Sequence, residues 1–248
     1  MAKKKRYHHG NLKHALIEAA LTLIEEKGPL HFTLREAARL AGVAPSAPYR
    51  HFESKIALMT AIAEEGIRRL TATMVEEMKG CSEEPSERFQ AMGIGFVKFA
   101  VQNPSHFRVM YIPEYNDPEL SDGLKEAMAE NYEQIFSLFG EMGETDSVSP
   151  FDPNLLFLTA QATTYGLARM FVDGQMARIG IGPDQVEDIA RGVTNILGHG
   201  LAPRAENDLI AQQLTQSGPG PVLQPLDEVF ALHSDKKGCA EKTESGSE

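Results

Sequence analysis

Residues 33–55, TLREAARLAGVAPSAPYRHFESK, decide how the rest of the chain is read. Thr33 and Glu36 stand three apart ahead of an apolar stripe, the spacing of a capping box that opens a helix. Leu34, Ala37, Ala38 and Ala41 make the stripe, and their short side chains let another helix cross closely. Gly42 suits the left-handed residue that ends such a helix. Pro45 fits the first position of a second short helix, expected over residues 45–51, where its missing N–H costs nothing. Pro48 gives up one bond to the Ala44 carbonyl, which ties the start of that helix to Ala44. Ser54 caps a third helix beginning near Lys55. Two short helices joined by a tight turn, followed by a longer one, make a helix-turn-helix layout.

The charge around this stretch differs from that of the remainder. Residues 1–58 hold ten Lys and Arg against five acids, a net +5, while the remainder stands at -16. A polyanion-binding head on a body that repels polyanions has this asymmetry. The 248 residues are enough for one large or two small domains. No apolar run is long enough to span a bilayer, and no cleavable apolar segment follows the basic start. Cys81 and Cys239 imply no disulfide framework, so a cytoplasmic setting is expected.

Almost every apolar segment has a helical period. Helices are expected over residues 11–27, 33–41, 45–51, 54–79, 87–102, 105–112, 119–142, 154–178 and 184–198, with Pro104, Pro118, Pro153 and Pro183 marking starts. The expected class is all-α: an N-terminal three-helix helix-turn-helix domain joined by a long helix to an α-helical ligand-binding and dimerisation bundle. The expected divisions are a basic arm at 1–10, the helix-turn-helix at 11–58, the bundle at 59–200 and a largely disordered extension at 201–248.

A recognition helix needs small residues at its N-terminal end and donors that grip phosphates on either side. Pro45, Ser46 and Ala47 are small, Tyr49 offers a hydroxyl, and Arg50 reaches a guanine edge or a phosphate. His51 and Lys55 lie beyond, where the DNA backbone passes, and Thr33 offers a second phosphate seat. Lys4, Lys5 and Arg6 in the arm track a phosphate or lie in a minor groove. Phe52 is expected to pack inward. His8 and His9 lack the further ligands that would close a metal site, and no cofactor is expected.

Residues 12–58 resemble the DNA-binding domain of the TetR family of bacterial transcriptional regulators, through LIEAALTLIEEKG, FTLREAARLAGVA and PYRHFESKIAL. YHHGNLK before the first helix and APYRHF in the third resemble the subgroup whose C-terminal half is called the WHG domain. GIGFVKFAVQNPSHFRVMY, residues 93–111, extends that likeness, and ATTYG at residues 162–166 places Tyr165 where the subgroup implies His. The resemblance implies an all-helical homodimer, a two-fold operator in double-stranded DNA and a small-molecule inducer.

The body is rich in aromatics and Met. Phe96, Phe99, Phe107, Met110, Tyr111, Tyr132, Phe136 and Met170, with Thr163 and Tyr165 to orient a guest, are candidate walls for a small hydrophobic or aromatic ligand. At helical spacing the same residues also serve as core. Arg108 and Arg169 stand beside apolar stripes, where each either meets an acidic ligand or pairs within the bundle. Leu158, Leu167, Phe171, Ile189, Val193, Ile196 and Leu197 are the candidate dimer face, an intermolecular four-helix bundle.

An enzyme is not expected. The GIG runs at Gly93 and Gly180 lack the third Gly and the strand of a dinucleotide loop, and His106 and His199 have no evident triad partners. The expected action is repression relieved when a ligand in the body moves the two heads out of register. The alternative is a helical ligand-binding or scaffold protein whose basic head contacts RNA or an acidic partner.

Overall fold

The computed structural model describes residues 12–144 and 153–201. The basic arm with Lys4, Lys5 and Arg6, and the chain from residue 202 on, lie outside the described residues. Every regular element among the described residues is helical. Nine α-helices run in order among them: α1 (Leu12–Lys27), α2 (Leu34–Leu40), α3 (Lys55–Met78), α4 (Pro85–Gln102), α5 (Pro104–Met110), α6 (Asp122–Glu144), α7 (Pro153–Val172), α8 (Gln175–Arg178) and α9 (Val186–Leu201). Single 3-10 turns occupy Pro48–Arg50, Pro113–Tyr115, Pro118–Leu120 and Pro183–Gln185.

The contacts divide the chain into two compact units. Among the described residues, one takes 12–69 together with Gln102–Ala127, and the other takes Leu70–Val101 and the described residues from Met128 on. The 24-residue α3 contributes to both.

In the first unit, α1 buries Leu16, Ile17, Ala19, Ala20, Leu23 and Ile24, then stops at Gly28 with φ 81°. The capping box forms: Thr33 Oγ1 accepts from the Glu36 N–H at 3.2 Å, and Glu36 Oε2 accepts from the Thr33 N–H at 2.9 Å. Leu34, Ala37 and Ala38 form the buried face of α2. Its exit is a Schellman motif: Val43 N–H donates to Ala38 O at 2.9 Å and Gly42 N–H to Arg39 O at 3.1 Å. Gly42 sits at φ 72° with nothing within 4 Å of an added Cβ, so backbone conformation rather than crowding calls for glycine. Ser54 Oγ accepts from the Ala57 N–H at 3.1 Å and opens α3. Phe52 is buried, as its place in the sequence indicates.

Two expected helices are corrected. Residues 45–51 are not a regular α-helix but a turn followed by the 3-10 element Pro48–Arg50. Pro45 and Pro48 both lack an N–H, so the segment closes i to i+3 bonds instead: Ala47 N–H to Ala44 O at 2.9 Å, and Arg50 N–H to Ala47 O at 3.2 Å. The helix expected over 154–178 breaks at Gly174, whose φ of 72° ends α7 and starts α8.

In the second unit, α4 approaches its neighbours through glycines. A Cβ on Gly93 would stand 3.1 Å from Thr194 Cγ2 and 3.4 Å from Thr164 Cγ2, so α9 and α7 come close there. A Cβ on Gly95 would stand 3.0 Å from Met74 Cα. Lys98, largely buried, bridges Glu77 at 2.5 Å and Glu187 at 3.2 Å, tying α3, α4 and α9 together. Those two carboxylates hold its ammonium above the usual lysine range.

Candidate nucleic-acid interface and helical body

The turn Pro48–Arg50 packs against α1 and α2, and Pro48 is its fully buried anchor. With the proline inward, Tyr49 (52% exposed), Arg50 and His51 stand in solvent, as do Pro45 and Ser46, while Ala47 is half-buried. Short residues leading into exposed donors on a packed turn can enter a groove and hydrogen-bond base edges or phosphates.

Two of the expected phosphate seats are already engaged within the protein. Thr33 is exposed, but its hydroxyl donates to Glu36 Oε2 at 3.0 Å inside the capping box. Lys55 is half-buried: its Nζ donates to Leu30 O at 3.0 Å and lies 4.4 Å above the Phe32 ring. Burial pulls its ammonium below the usual lysine value, and Glu36 partly offsets this. The sequence reading passed over Arg35 and Arg39, exposed on α2. The helical period marked them, because they fall outside the Leu34, Ala37 and Ala38 stripe.

The candidate ligand walls do not form one set. Phe107 and Met110, both buried, and Tyr111 belong to the first unit, where the Phe107 and Tyr111 rings meet at 5.0 Å. Phe96, Phe99, Tyr132, Phe136, Thr163, Tyr165 and Met170 belong to the second. There Tyr132 and Phe136 lie 6.1 Å apart, and Phe136 and Phe157 5.5 Å. Phe139 meets both Phe157 and Phe89, extending the cluster to Phe89. Burial pushes the Tyr132 phenol up to about 12. Phe96 and Phe99 are core, and Met170 is exposed rather than lining an interior. The Thr163 hydroxyl donates back to Thr159 O at 2.7 Å. Arg169 pairs with Asp173 at 2.8 Å, as the bundle reading of that residue expects.

The candidate dimer face also needs sorting. Leu167 is buried within its own unit, so it is core rather than face. Leu158 and Ile196 are exposed, Ile196 at 76%, and Phe171, Ile189, Val193 and Leu197 are half-buried. Leu155, Ala162 and Met170 are exposed as well, at spacings that fall on one side of α7. A Cβ on Gly166 or Gly192 would meet nothing within 4 Å.

A buried-proline turn carrying exposed donors, beside a capped helix with two exposed arginines, defines a helix-turn-helix protein. Residues 16–62 match the family of bacterial regulatory proteins, tetR family, and residues 89–195 match the tetracyclin repressor-like C-terminal domain. The chain is 37% identical over 78 residues to the HTH-type transcriptional regulator BetI of Rhizobium meliloti (strain 1021). That stretch covers 32% of this chain and 38% of BetI, so the match spans about two fifths of the relative's length. A solved protein with unknown function from Rhodococcus sp. RHA1 is 29% identical, with a TM-score of 0.65 over 80% of this chain and 100% of that one. The TetR family transcriptional regulator PfmR from Thermus thermophilus shares the fold at 19% identity, with a TM-score of 0.61 over 74% of this chain and 97% of that one. The chain belongs to the TetR family of bacterial transcriptional regulators, and its head is that family's DNA-binding domain. No described helix is long and apolar enough to cross a membrane.

Proposed function

We propose that this regulator is a cytoplasmic homodimer that represses transcription from a two-fold operator and is released by a small hydrophobic or aromatic ligand. Its role on this reading is regulatory, not catalytic. The observation that carries the DNA half is the exposed trio Tyr49, Arg50 and His51 on a turn held by the fully buried Pro48. Pro45, Ser46 and Ala47 lead the backbone into the groove, and Lys4, Lys5 and Arg6 extend the grip outward. One such turn reads too few bases for specificity, so two copies set one helical turn of DNA apart, or a multiple of it, share the task.

The apolar stripes of α7 and α9 support the dimer. Leu155, Leu158 and Ile196 are exposed, and Gly166 and Gly192 leave open space where a partner's helices approach closely. The aromatic cluster around Tyr132, Phe136 and Phe157 supports a ligand with an apolar body.

The test is a fluorescence-anisotropy titration of the full chain. One duplex comes from the region upstream of its own gene, and a shuffled duplex of the same composition runs beside it. Tight binding to the first alone is expected. Equal binding to both, and no enriched sequence in a selection from random DNA, defeats the operator reading.

A further inference from the structure

His106, on α5, is buried, and its Nε2 has no hydrogen-bond partner. That atom lies 3.6 Å from Glu65 Oε1 on α3, just outside hydrogen-bonding reach. The same oxygen takes Arg69 Nη2 at 2.5 Å, and Arg69 Nη1 donates to Asn103 Oδ1 at 3.4 Å. An unpaired buried nitrogen is costly, and a carboxylate within a short shift of it offers the missing partner. The charged groups facing the ring come from two helices besides its own. α3 presents Glu65 and Arg69, and α1 presents Glu18, whose carboxylate lies 3.9 Å from His14. Burial, then the Arg69 charge, holds the imidazole below its ordinary value, while Glu65 and Glu18 pull the other way.

α5 has little room to move alone. An added Cβ on Gly66 of α3 would stand 2.6 Å from Met110 Sδ and 3.2 Å from His106 Cβ, so the two helices already touch there. Ser105 Oγ donates to Leu21 O of α1 at 3.2 Å. α1 in turn packs against the Pro48–Arg50 turn. A shift of α5 on α3 therefore reaches that turn through α1. We propose that His106 is a proton-operated latch: a proton taken from solvent pulls α5 towards Glu65, and the displacement carried through α1 weakens the hold of the turn on DNA. The inference rests on the DNA-binding reading of the head. The doubly protonated ring carries an N–H at Nε2 whichever neutral tautomer it starts from. A charge-assisted bond to a carboxylate closes to about 2.7–2.9 Å, so ring and carboxylate draw together by roughly 0.8 Å. A proton accepted by the free protein and disfavoured in the complex leaves affinity complete above the titration of the ring. That affinity is lost as pH falls through it.

The experiment uses the full chain, wild type and His106→Gln, with a duplex enriched from random DNA at fixed salt. Anisotropy is read between about pH 7.5 and 5.0, the span in which an imidazole titrates. Wild type is expected to weaken about fivefold or more relative to the variant, the low end of ordinary coupling between two sites. The exposed His14, His31 and His51 are common to both proteins and cancel in the comparison. Parallel pH curves overturn the latch, and so does a wild type that gains affinity relative to the variant in acid. Where the variant does not fold, the wild-type ring is followed by NMR of labelled histidine with and without the duplex. A midpoint displaced to lower pH by the duplex is expected, because binding then favours the neutral ring. An unmoved midpoint, or a ring that stays neutral until the protein unfolds, overturns the latch. A wild type with no preference for the enriched duplex over a shuffled one at any pH overturns the DNA-binding reading instead, an outcome separable from the others.

Discussion

The head and the α7–α9 face both expose side chains that the folded protomer does not use, and the two kinds of exposed group have different consequences. On the head, beside the exposed Leu30 and Leu40, they include Arg35, Arg39, Arg50 and His51, cations and hydrogen-bond donors that water satisfies fully. On α7 and α9 they are Leu158, Met170 and Ile196, apolar surface that water does not satisfy. Leaving apolar area in solvent costs roughly 25 cal/mol per Å², whereas an exposed guanidinium waits without penalty. The proposed dimer face is therefore a standing demand for a partner. The proposed DNA face is conditional, engaged only when a polyanion is present and salt is low enough.

Ile196→Asp breaks this comparison most sharply. The side chain is already 76% exposed, so the protomer folds as before, while a carboxylate at a packed interface centre costs about 3 kcal/mol, more than a hundredfold in association. Sedimentation velocity over a concentration series reads the effect. A variant that self-associates like wild type moves the dimer contact elsewhere. Glycine substitutions sharpen the same point. Gly95→Ala places a Cβ 3.0 Å from Met74 Cα and 3.2 Å from Thr73 O, both backbone atoms, and is expected to cost about 1–3 kcal/mol in denaturant unfolding. Gly192→Ala meets nothing within 4 Å and is expected to stabilise the isolated protomer by up to about 1 kcal/mol through helix propensity while weakening the dimer. Equal signs for the two substitutions in unfolding, or an unweakened dimer in the second, would remove the distinction between internal and external glycines.

The head was legible in the sequence because its signals are local. Thr33 with Glu36, Gly42 and Ser54 each act within five residues, and each does what its spacing implies. Pro48 was legible only in part. Its missing N–H pointed to a constrained start, but the combined loss of two donors with Pro45, which turns the segment into a 3-10 element, weighs against a full α-helix. The body is built from distant pairs that no period encodes. Lys98 meets Glu187 across 89 positions, and Gln90 meets Asn195 across 105. Leu167 and Leu158 look alike in a periodic pattern, yet one is core and the other exposed, because a bundle helix carries apolar residues on more than one side. The break at Gly174 left no local signal beyond the glycine itself.

Within the head, Arg50→Ala separates reading from scaffolding. Its side chain is exposed, so thermal unfolding is expected to stay within about 0.5 kcal/mol of wild type. Operator affinity is expected to fall by roughly 1–3 kcal/mol if the guanidinium contacts a base edge, with specificity relaxed at that position. Anisotropy against single-base operator variants reads both. A uniform loss across all of them would place Arg50 on the DNA backbone instead.

The smallest effect belongs to the capping box, and pH reveals it. The hydrogen bond from Lys27 is the first cause that pushes the Glu36 carboxyl down to about 2, with the Thr33 hydroxyl and N–H following. A carboxylate whose value is lower in the folded state stabilises it above the unfolded value of 4.5 and loses that contribution as pH falls from 4.5 towards 2. Because solvent reaches the Glu36 carboxylate, screening keeps its charge contribution small. Thr33→Ala removes the cap itself and is expected to cost about 1 kcal/mol at neutral pH. Glu36→Gln still offers an oxygen to the Thr33 N–H but no charge to Lys27. Its unfolding midpoint should lie below wild type above pH 4.5 and converge on it towards pH 2. Another acid-sensitive group in the first unit runs on a different scale, since burial, with the Arg69 charge, lowers the His106 imidazole from 6.5. Stability from keeping His106 neutral is complete above 6.5 and declines below it, so its loss starts before that of Glu36. A difference between wild type and Glu36→Gln that shrinks already between about pH 7 and 5 would assign the acid response to something other than the capping box.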